Sequence, residues 1–189
     1  MDAKAPRLSE TVIKTARFER VKEWYQTLIG REPFYLRRGP PDEPSWSGAH
    51  AIAFFRLHVD YPYTQVFGIF EVPAVGDRAV PVKGDPGLHH MQMRFGTLED
   101  LFERYDRLKA SGARPARSFN HGPGTSFYYE DPDGNTVELS CVNFVREEDY
   151  LAYFSTEAYK KNISGIAIDP DEYIGRFRSG VSQAELVKI

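Results

Sequence analysis

The stretch SFYYEDPDGNTVELSC, residues 126–141, predicts a β-hairpin. Residues 125–130 and 135–142 are rich in aromatic and β-branched side chains, which favour strands. The residues that join them, 131–135 (DPDGN), combine proline, glycine and aspartate, which are typical of a tight turn. Successive side chains of a strand point to opposite faces, so Tyr128 and Tyr129 are expected on opposite faces of the hairpin.

The same order of elements occurs twice along the chain. In the first half it comprises residues 11–15, 18–29, 33–36, 50–57 and 64–72, and in the second half residues 88–95, 97–110, 114–117, 125–130 and 135–142. The second segment of each half predicts a helix, because its apolar residues recur at helical spacing, and the others predict strands. A shift of 80 residues pairs Tyr25 with Tyr105 in the helices and Glu10 with His90 before them. The pattern favours a duplicated βαβββ module in an α+β fold, and chance alignment of two amphipathic helices is the alternative.

The domain organisation predicted from this repeat has three parts. Residues 1–80 form the first module, residues 81–145 the second, and residues 146–189 a C-terminal extension. Helical patches at 147–160 and 171–178 predict that this extension is helical and packs on the sheet or on a partner.

Composition excludes several classes of protein. The chain has 189 residues, of which 41% are hydrophobic and 14% aromatic, and this excludes disorder as the main state. Its net charge of −3 argues against nucleic acid as a main partner, and no apolar run approaches the ~20 residues that span a membrane. The N-terminal residues show no secretory signal. The single cysteine, Cys141, excludes an internal disulfide and is expected to be a buried structural thiol in a cytoplasmic protein.

Two groups of side chains stand out as candidates for chemistry. His90 lies beside His89 in the predicted strand 88–95, and Glu138 lies in a later strand. A histidine and a carboxylate from neighbouring strands can share a metal ion, and this pair of ligands suits Fe(II), Mn(II) or Zn(II). His121 lies in a loop just before a strand and is a candidate general acid or base, with Tyr128 as a hydrogen-bond donor. Ordinary hydrogen-bonded or packing roles are the alternative for each of these side chains.

Several of these motifs resemble the vicinal oxygen chelate superfamily, which includes glyoxalase I, bleomycin-resistance proteins and type I extradiol dioxygenases. The resemblance rests on GLHHMQMRF (87–95) with SFYYEDPDGNTVELSC (126–141), on KTARFERVKEWYQTLIG (14–30) and on NISGIAIDPDEYIGRFRSG (162–180). It covers nearly the whole chain and is strongest to small dioxygenase-like members. The resemblance implies paired βαβββ modules that form a curved mixed sheet around a cavity with a metal site.

The resemblance also implies roles for particular residues. In the dioxygenases Fe(II) is held by two histidines and one glutamate; His90 matches the second histidine and Glu138 the glutamate. His121 and Tyr128 resemble the family's histidine and tyrosine beside the metal. At the first histidine this sequence departs from the family: where members often read HVVLKT, it reads ETVIKT, so Glu10 takes the histidine's place. The position where glyoxalases often carry a further carboxylate falls near Gly68.

Three functional hypotheses follow from the resemblance. The first is a metal-dependent extradiol dioxygenase that uses O2 on a small catechol-like aromatic substrate, with Glu10, His90 and Glu138 as ligands of Fe(II), or alternatively of Mn(II) or Zn(II). The second is a non-redox isomerase, lyase or cyclase of the same superfamily, in which Glu10 is a ligand or a general base. The third is a non-catalytic small-molecule binder. A homodimer is possible, and the sequence does not decide the oligomeric state. Residues proposed to line an apolar cavity, or else to pack in the core, are Trp46, Phe54, Phe55, Tyr61, Tyr63, Phe67 and Phe70.

Overall fold

The fold consists of two compact units. The computed structural model describes residues 7–40, 48–59, 64–76 and 88–189. The first unit is Met1–Lys83 together with Asp131–Gly134, and the second is Gly84–Glu130 together with Asn135–Ile189. The module boundary predicted between residues 80 and 81 lies outside the described residues. Residues 146–189 belong to the second unit.

The first unit is a mixed four-stranded sheet covered by one long helix. Its elements are β1 (Glu10–Thr15), α1 (Phe18–Ile29), β2 (Tyr35–Arg38), β3 (Ala51–His58), β4 (Gln65–Glu71) and a 3₁₀ turn (Pro73–Val75). The strands lie in the order β1-β4-β3-β2. Strand β1 runs parallel to β4, and the other neighbouring strands are antiparallel.

Helix α1 has the bounds that the sequence predicts. Its buried side chains fall on one face and are Phe18, Val21, Tyr25 and Leu28. The Tyr25 ring lies 4.4 Å from the ring of Phe67, which is fully buried in the sheet beside Phe55. Gly30 ends the helix with a φ of 79°, a left-handed conformation that glycine adopts without steric cost.

The turn Asp131–Gly134 packs on this helix and belongs to the first unit. The buried Tyr25 hydroxyl donates a hydrogen bond of 2.9 Å to Asp131, and Arg17 Nε donates one of 2.8 Å to Asp133. Burial raises the pKa of Tyr25 well above its usual value, and the negative charge of Asp131 raises it further. The phenol is therefore a neutral donor to a buried carboxylate.

The second unit repeats the strand order of the first and extends it. Its module comprises β5 (Met91–Phe95), α2 (Leu98–Ala110), β6 (Arg117–Asn120), β7 (Gly124–Glu130) and β8 (Thr136–Val142), and β9 (Ile166–Ala167) adds a fifth strand. The order is β5-β8-β7-β6-β9, with β5 parallel to β8. The predicted α+β class and its paired βαβββ modules are confirmed, and each module has a mixed sheet of its own.

Helix α2 covers one face of the second sheet. Thr97 caps it, because its hydroxyl oxygen accepts a hydrogen bond of 3.1 Å from the Asp100 backbone N–H. The Tyr105 ring packs 5.5 Å from the ring of Phe127, so β7 contributes that face to the core. The opposite face of the sheet points away from α2.

The predicted C-terminal helical extension is also confirmed. It contains α3 (Glu147–Tyr153), α4 (Glu157–Lys161), α5 (Pro170–Arg178) and α6 (Gln183–Leu186). The patch predicted at 147–160 is thus two short helices, and the sequence did not predict β9 or α6. Within the part of the chain that the structure describes, no helix is long and apolar enough to cross a membrane.

Two strand predictions in the second module were wrong in their bounds. Strand β6 lies at Arg117–Asn120 and not at 114–117. Pro115 lacks the N–H that a ladder needs, and the Ala116 N–H is the one that donates to the Tyr128 carbonyl, at 2.7 Å. Strand β5 begins at Met91, so His89 and His90 precede it and do not lie on it.

Candidate active site

Strand β8 separates the core from a polar face. Val137, Leu139 and Cys141 alternate along it with Glu138 and Ser140, and the sheet register places Glu138 between Gln92 of β5 and Tyr128 of β7. Alternation along the strands therefore turns these three polar side chains to the face opposite α2. The burial of Tyr129 agrees with the prediction that the two tyrosines take opposite faces.

The Glu138 carboxylate is buried and is held on one oxygen. Its side chain is only 6% exposed. Gln92 Nε2 and Ser126 Oγ donate to Oε1 at 2.8 and 2.7 Å, while Oε2 lies 3.0 Å from His90 Nε2. Arg94 in turn donates to Gln92 Oε1 at 3.2 Å, which orients the amide so that its NH2 group faces the carboxylate. One carboxylate oxygen is thus saturated and the other faces an imidazole nitrogen.

The two adjacent histidines face each other, whereas the strand predicted over 88–95 would have turned them to opposite faces. Because they precede β5, strand alternation does not separate them, and their Nδ1 atoms lie 2.6 Å apart. The side chain of His90 remains 34% exposed and reaches Glu138 through Nε2. Among the described residues of the second unit, no third His, Cys, Asp or Glu completes a metal-binding group with this pair.

His121 and Tyr128 form a second pair in the same unit. His121 Nε2 lies 3.1 Å from the Tyr128 hydroxyl, and Nδ1 lies 2.9 Å from the Ser164 carbonyl oxygen. The Phe119 ring stacks on the imidazole at 5.5 Å, and the Arg117 guanidinium lies 4.7 Å from the centre of the tyrosine ring. The structure therefore brings together the histidine and tyrosine that the sequence singled out.

Tyr128 links the two pairs. Its ring lies 6.2 Å from the rings of both His90 and His121. Burial raises the pKa of Tyr128, and the negative charge of Glu138 raises it further. The phenol is thus kept in its protonated form, as a donor between an imidazole and a carboxylate.

Glu10 lies in the first unit, apart from the other candidate residues in sequence and in domain. It is the first residue of β1, is exposed, and pairs in register with Val66. Its predicted role as a ligand or a base remains a prediction.

The register of the first sheet identifies the counterpart of Glu138. Val12 pairs with Gly68, and Phe54 lies opposite Gly68 on the other side, just as Gln92 and Tyr128 flank Glu138. A Cβ at Gly68 would lie 2.9 Å from the Phe54 ring, so this position holds the ring and cannot carry a ligand without displacing it.

The predicted cavity aromatics separate into three groups. Phe55 and Phe67 are core residues, whereas Phe54 and Phe70 are half-buried on the face opposite α1, with ring centres 5.9 Å apart. Trp46, Tyr61 and Tyr63 lie outside the described residues. Cys141 is buried, as expected, and burial raises the pKa of its thiol to about 11.

Residues 7–139 match the model of the Glyoxalase/Bleomycin resistance protein/Dioxygenase superfamily. The chain belongs to this superfamily. It is 32% identical over 165 residues to biphenyl-2,3-diol 1,2-dioxygenase 2 of Rhodococcus globerulus, covering 87% of this chain and 78% of that protein. It is 30% identical over 181 residues to biphenyl-2,3-diol 1,2-dioxygenase 3 of the same organism, covering 96% and 87%.

A solved structure agrees with the superfamily fold. The glyoxylase/bleomycin resistance protein/dioxygenase domain from Frankia sp. EAN1pec superposes with a TM-score of 0.58 at 18% identity, covering 74% of this chain and 99% of that one. At this identity the likeness concerns the fold alone.

Sequence reasoning missed the residues that hold Glu138 in this superfamily member. Gln92 and Ser126 are uncharged and carry no motif, but the hairpin and parallel registers place them beside Glu138. Ser126 lies two residues before Tyr128 on β7, so strand alternation alone puts these two side chains on one face. Strand alternation indicates the face of each residue, but the contact with Glu138 depends on the strand register, which the sequence does not give.

Proposed function

We propose that this superfamily member is a metal-dependent extradiol dioxygenase that acts on a catechol-like aromatic diol. The observation that carries the proposal is the buried Glu138 carboxylate, with Oε1 saturated by two donors and Oε2 directed at His90 Nε2. A ligand held so that one oxygen is available is what a monodentate carboxylate site requires. The two dioxygenase relatives give the reaction class.

The donor chemistry fits a divalent transition metal. His90 and Glu138 supply one imidazole nitrogen and one carboxylate oxygen, and we assign Glu10 as the third ligand because the sequence puts it at the family's first histidine. Iron(II) bound by them would act as a Lewis acid for the diol oxygens and would pass electrons from the diol to dioxygen, so that the diol is the net reductant.

The proton chemistry falls to His121 and Tyr128. His121 Nε2 lies within hydrogen-bond distance of the Tyr128 hydroxyl. His121 can therefore accept a proton from a diol oxygen, with the neutral Tyr128 phenol beside it as a hydrogen-bond donor. The raised pKa of Tyr128 keeps its proton available for hydrogen bonding. His121 thus acts as acid and base, and Tyr128 orients the substrate oxygen.

The apolar face of the first sheet supports an aromatic substrate. Tyr35 and Phe70 pack against Phe54 with ring centres 5.8 and 5.9 Å away, and all three lie on the face opposite α1. Phe54 and Phe70 are half-buried and Tyr35 is exposed, and such aromatic rings are suited to binding another ring. The relatives are named for biphenyl-2,3-diol, so this diol is the first substrate to try.

Metal content after anaerobic purification tests the ligand assignment. We expect near-stoichiometric iron in the wild type and loss of iron in His90→Ala, Glu138→Ala and Glu10→Ala. Glu130→Ala is the matched control, because Glu130 is an exposed carboxylate at the end of β7. Zinc or manganese in place of iron would favour the non-redox enzyme, and a wild type that binds no metal after reconstitution would overturn the assignment.

Glu10 requires its own comparison, because it is a candidate ligand and a candidate base. Glu10→Ala protein that retains iron but loses activity would identify a base, whereas loss of iron identifies a ligand. Glu10→His introduces the residue common in the family, and for a ligand position it is expected to retain the metal.

Oxygen uptake with biphenyl-2,3-diol and simpler catechols tests the reaction. For His121→Gln we expect kcat to fall about a hundredfold or more, the usual contribution of a general acid or base. Iron-loaded wild type that consumes no oxygen with any of these diols would refute the dioxygenase assignment.

A further inference from the structure

We propose that the C-terminal segment Ile163–Ala167 holds His121 in the tautomer that carries its proton on Nδ1, so that Nε2 is the proton acceptor. Ser164 and Gly165 of this segment are positioning residues. The inference deepens the proposed function, because it assigns which nitrogen of His121 accepts the proton and what sets that choice.

The hydrogen-bond partner of Nδ1 determines the tautomer. Nδ1 of His121 lies 2.9 Å from the Ser164 carbonyl oxygen, and a carbonyl oxygen only accepts hydrogen bonds. Nδ1 must therefore carry the proton. In a neutral ring Nε2 then has a free lone pair, and the Tyr128 hydroxyl, 3.1 Å away, donates to it.

The segment is fixed to the strand that precedes His121. Strand β9 pairs with β6, with Asn120 opposite Ile166 and Phe119 opposite Ala167. Just beyond β9, the Ile168 N–H donates to the Ser118 carbonyl at 3.0 Å. The Ser164 carbonyl therefore precedes a strand whose register is set by β6, the strand that ends just before the histidine.

Gly165 allows the close approach. Its φ is +77°, and a Cβ there would lie 2.5 Å from the Asn120 carbonyl oxygen, 2.6 Å from His121 Cα and 2.9 Å from His121 Nδ1. The first two of these atoms belong to the backbone and cannot rotate away. A side chain at position 165 would therefore push the segment, and with it the Ser164 carbonyl, away from the imidazole.

Contacts on the other sides restrict the ring. Phe119 stacks on the imidazole with an angle of 22° between the ring planes, and the His121 N–H donates to the Gly124 carbonyl at 2.8 Å. Turning the ring over would point carbon atoms at both the carbonyl and the tyrosine and lose both hydrogen bonds. Because the ring cannot turn over, the Ser164 carbonyl determines that Nδ1 is the donor and Nε2 the acceptor.

Nitrogen-detected NMR of the metal-free wild type tests the tautomer without substrate or activity. At about pH 8.5, where an ordinary imidazole is neutral, we expect Nδ1 of His121 to be protonated and Nε2 to be unprotonated. His121→Gln assigns the resonances. A protonated Nε2 would overturn the proposal whether or not the protein is a dioxygenase, and a protonated Nδ1 supports it even if no diol is turned over.

A glycine pair then tests the positioning role. Gly165→Ala is compared with Gly112→Ala, which has a similar φ of +86° but no atom within 4 Å of an added Cβ. We expect Gly165→Ala alone to mix the two tautomers and to lower kcat about tenfold or more, with KM for the diol little changed. Equal tautomer populations in the two variants would contradict a positioning role, and the wild-type spectrum remains decisive if Gly165→Ala fails to fold.

Discussion

Removing both hydrogen-bond donors to Glu138 Oε1 is predicted to cost more than the sum of the single removals. Ser126 is buried and Gln92 is exposed, and each donates to the same oxygen of a carboxylate that is only 6% exposed. A hydrogen bond to a charged group contributes about 1.5–3 kcal/mol. Because the remaining donor still satisfies Oε1, we expect about 1.5 kcal/mol for Ser126→Ala and about 1 kcal/mol for Gln92→Met.

The double variant leaves this oxygen with neither donor. An uncompensated buried charge costs about 3–5 kcal/mol, and since His90 still faces Oε2 the double variant is expected near the middle of that range, at about 4 kcal/mol. The coupling free energy between the two sites is then about 1–2 kcal/mol, within the range seen for residues that share a partner. Urea unfolding of the metal-free proteins, followed by circular dichroism, measures all four states of the cycle.

Ser140→Ala is the matched control for Ser126→Ala. Ser140 lies directly opposite Ser126 in the sheet and is equally buried, but its hydroxyl has no hydrogen-bond partner among the described residues. Its removal should be neutral or stabilising, because no hydrogen bond is lost. If Ser126→Ala costs no more than Ser140→Ala, or if the double variant is additive within about 0.5 kcal/mol, the shared-acceptor argument is wrong.

Three further predictions concern the core and the first sheet. Tyr25→Phe should lower the free energy of unfolding by about 1.5–3 kcal/mol in urea titrations, because the buried Asp131 loses a donor; a loss under 0.5 kcal/mol would contradict this. Cys141, with a thiol pKa of about 11, has about one thiolate in a thousand at pH 8, so a thiol reagent should modify it only after unfolding; rapid modification of the native protein would disagree. Gly68→Ala should cost about 1–3 kcal/mol and displace the Phe54 ring, which a crystal structure of the variant would detect.

Features set by neighbours in sequence were predictable. Helix α1 has the predicted bounds because apolar spacing and a following glycine are both local signals. The β7–β8 hairpin follows from residues 131–135, and the module repeat follows from the spacing of two similar helices. The structure brings His90 within 3.0 Å of Glu138, and their role as metal ligands stays a prediction.

Features set by partners distant in sequence were not predictable. The start of β6 depends on which backbone N–H after Pro115 can donate to β7. The position of His89 beside His90 depends on β5 beginning at Met91, three residues later than predicted. The hydrogen bonds that Gln92 and Ser126 donate to Glu138 depend on the register of three strands, β5, β7 and β8. β9 is two residues long and has no pattern of its own, so only its pairing with β6 reveals it.

The two modules share a strand order but differ in the side chains on the sheet face opposite the helix. The strand register shows which residues make this difference. Gly68 occupies the position of Glu138, and Phe54 occupies that of Tyr128. In the first module the phenylalanine ring covers the glycine, and a Cβ there would lie 2.9 Å from it. A carboxylate introduced at Gly68 would therefore have to displace an aromatic ring and would still lack the donors that hold Glu138. Because the aromatic and the polar version of the face each require at least two matched residues, no single substitution converts one module into the other.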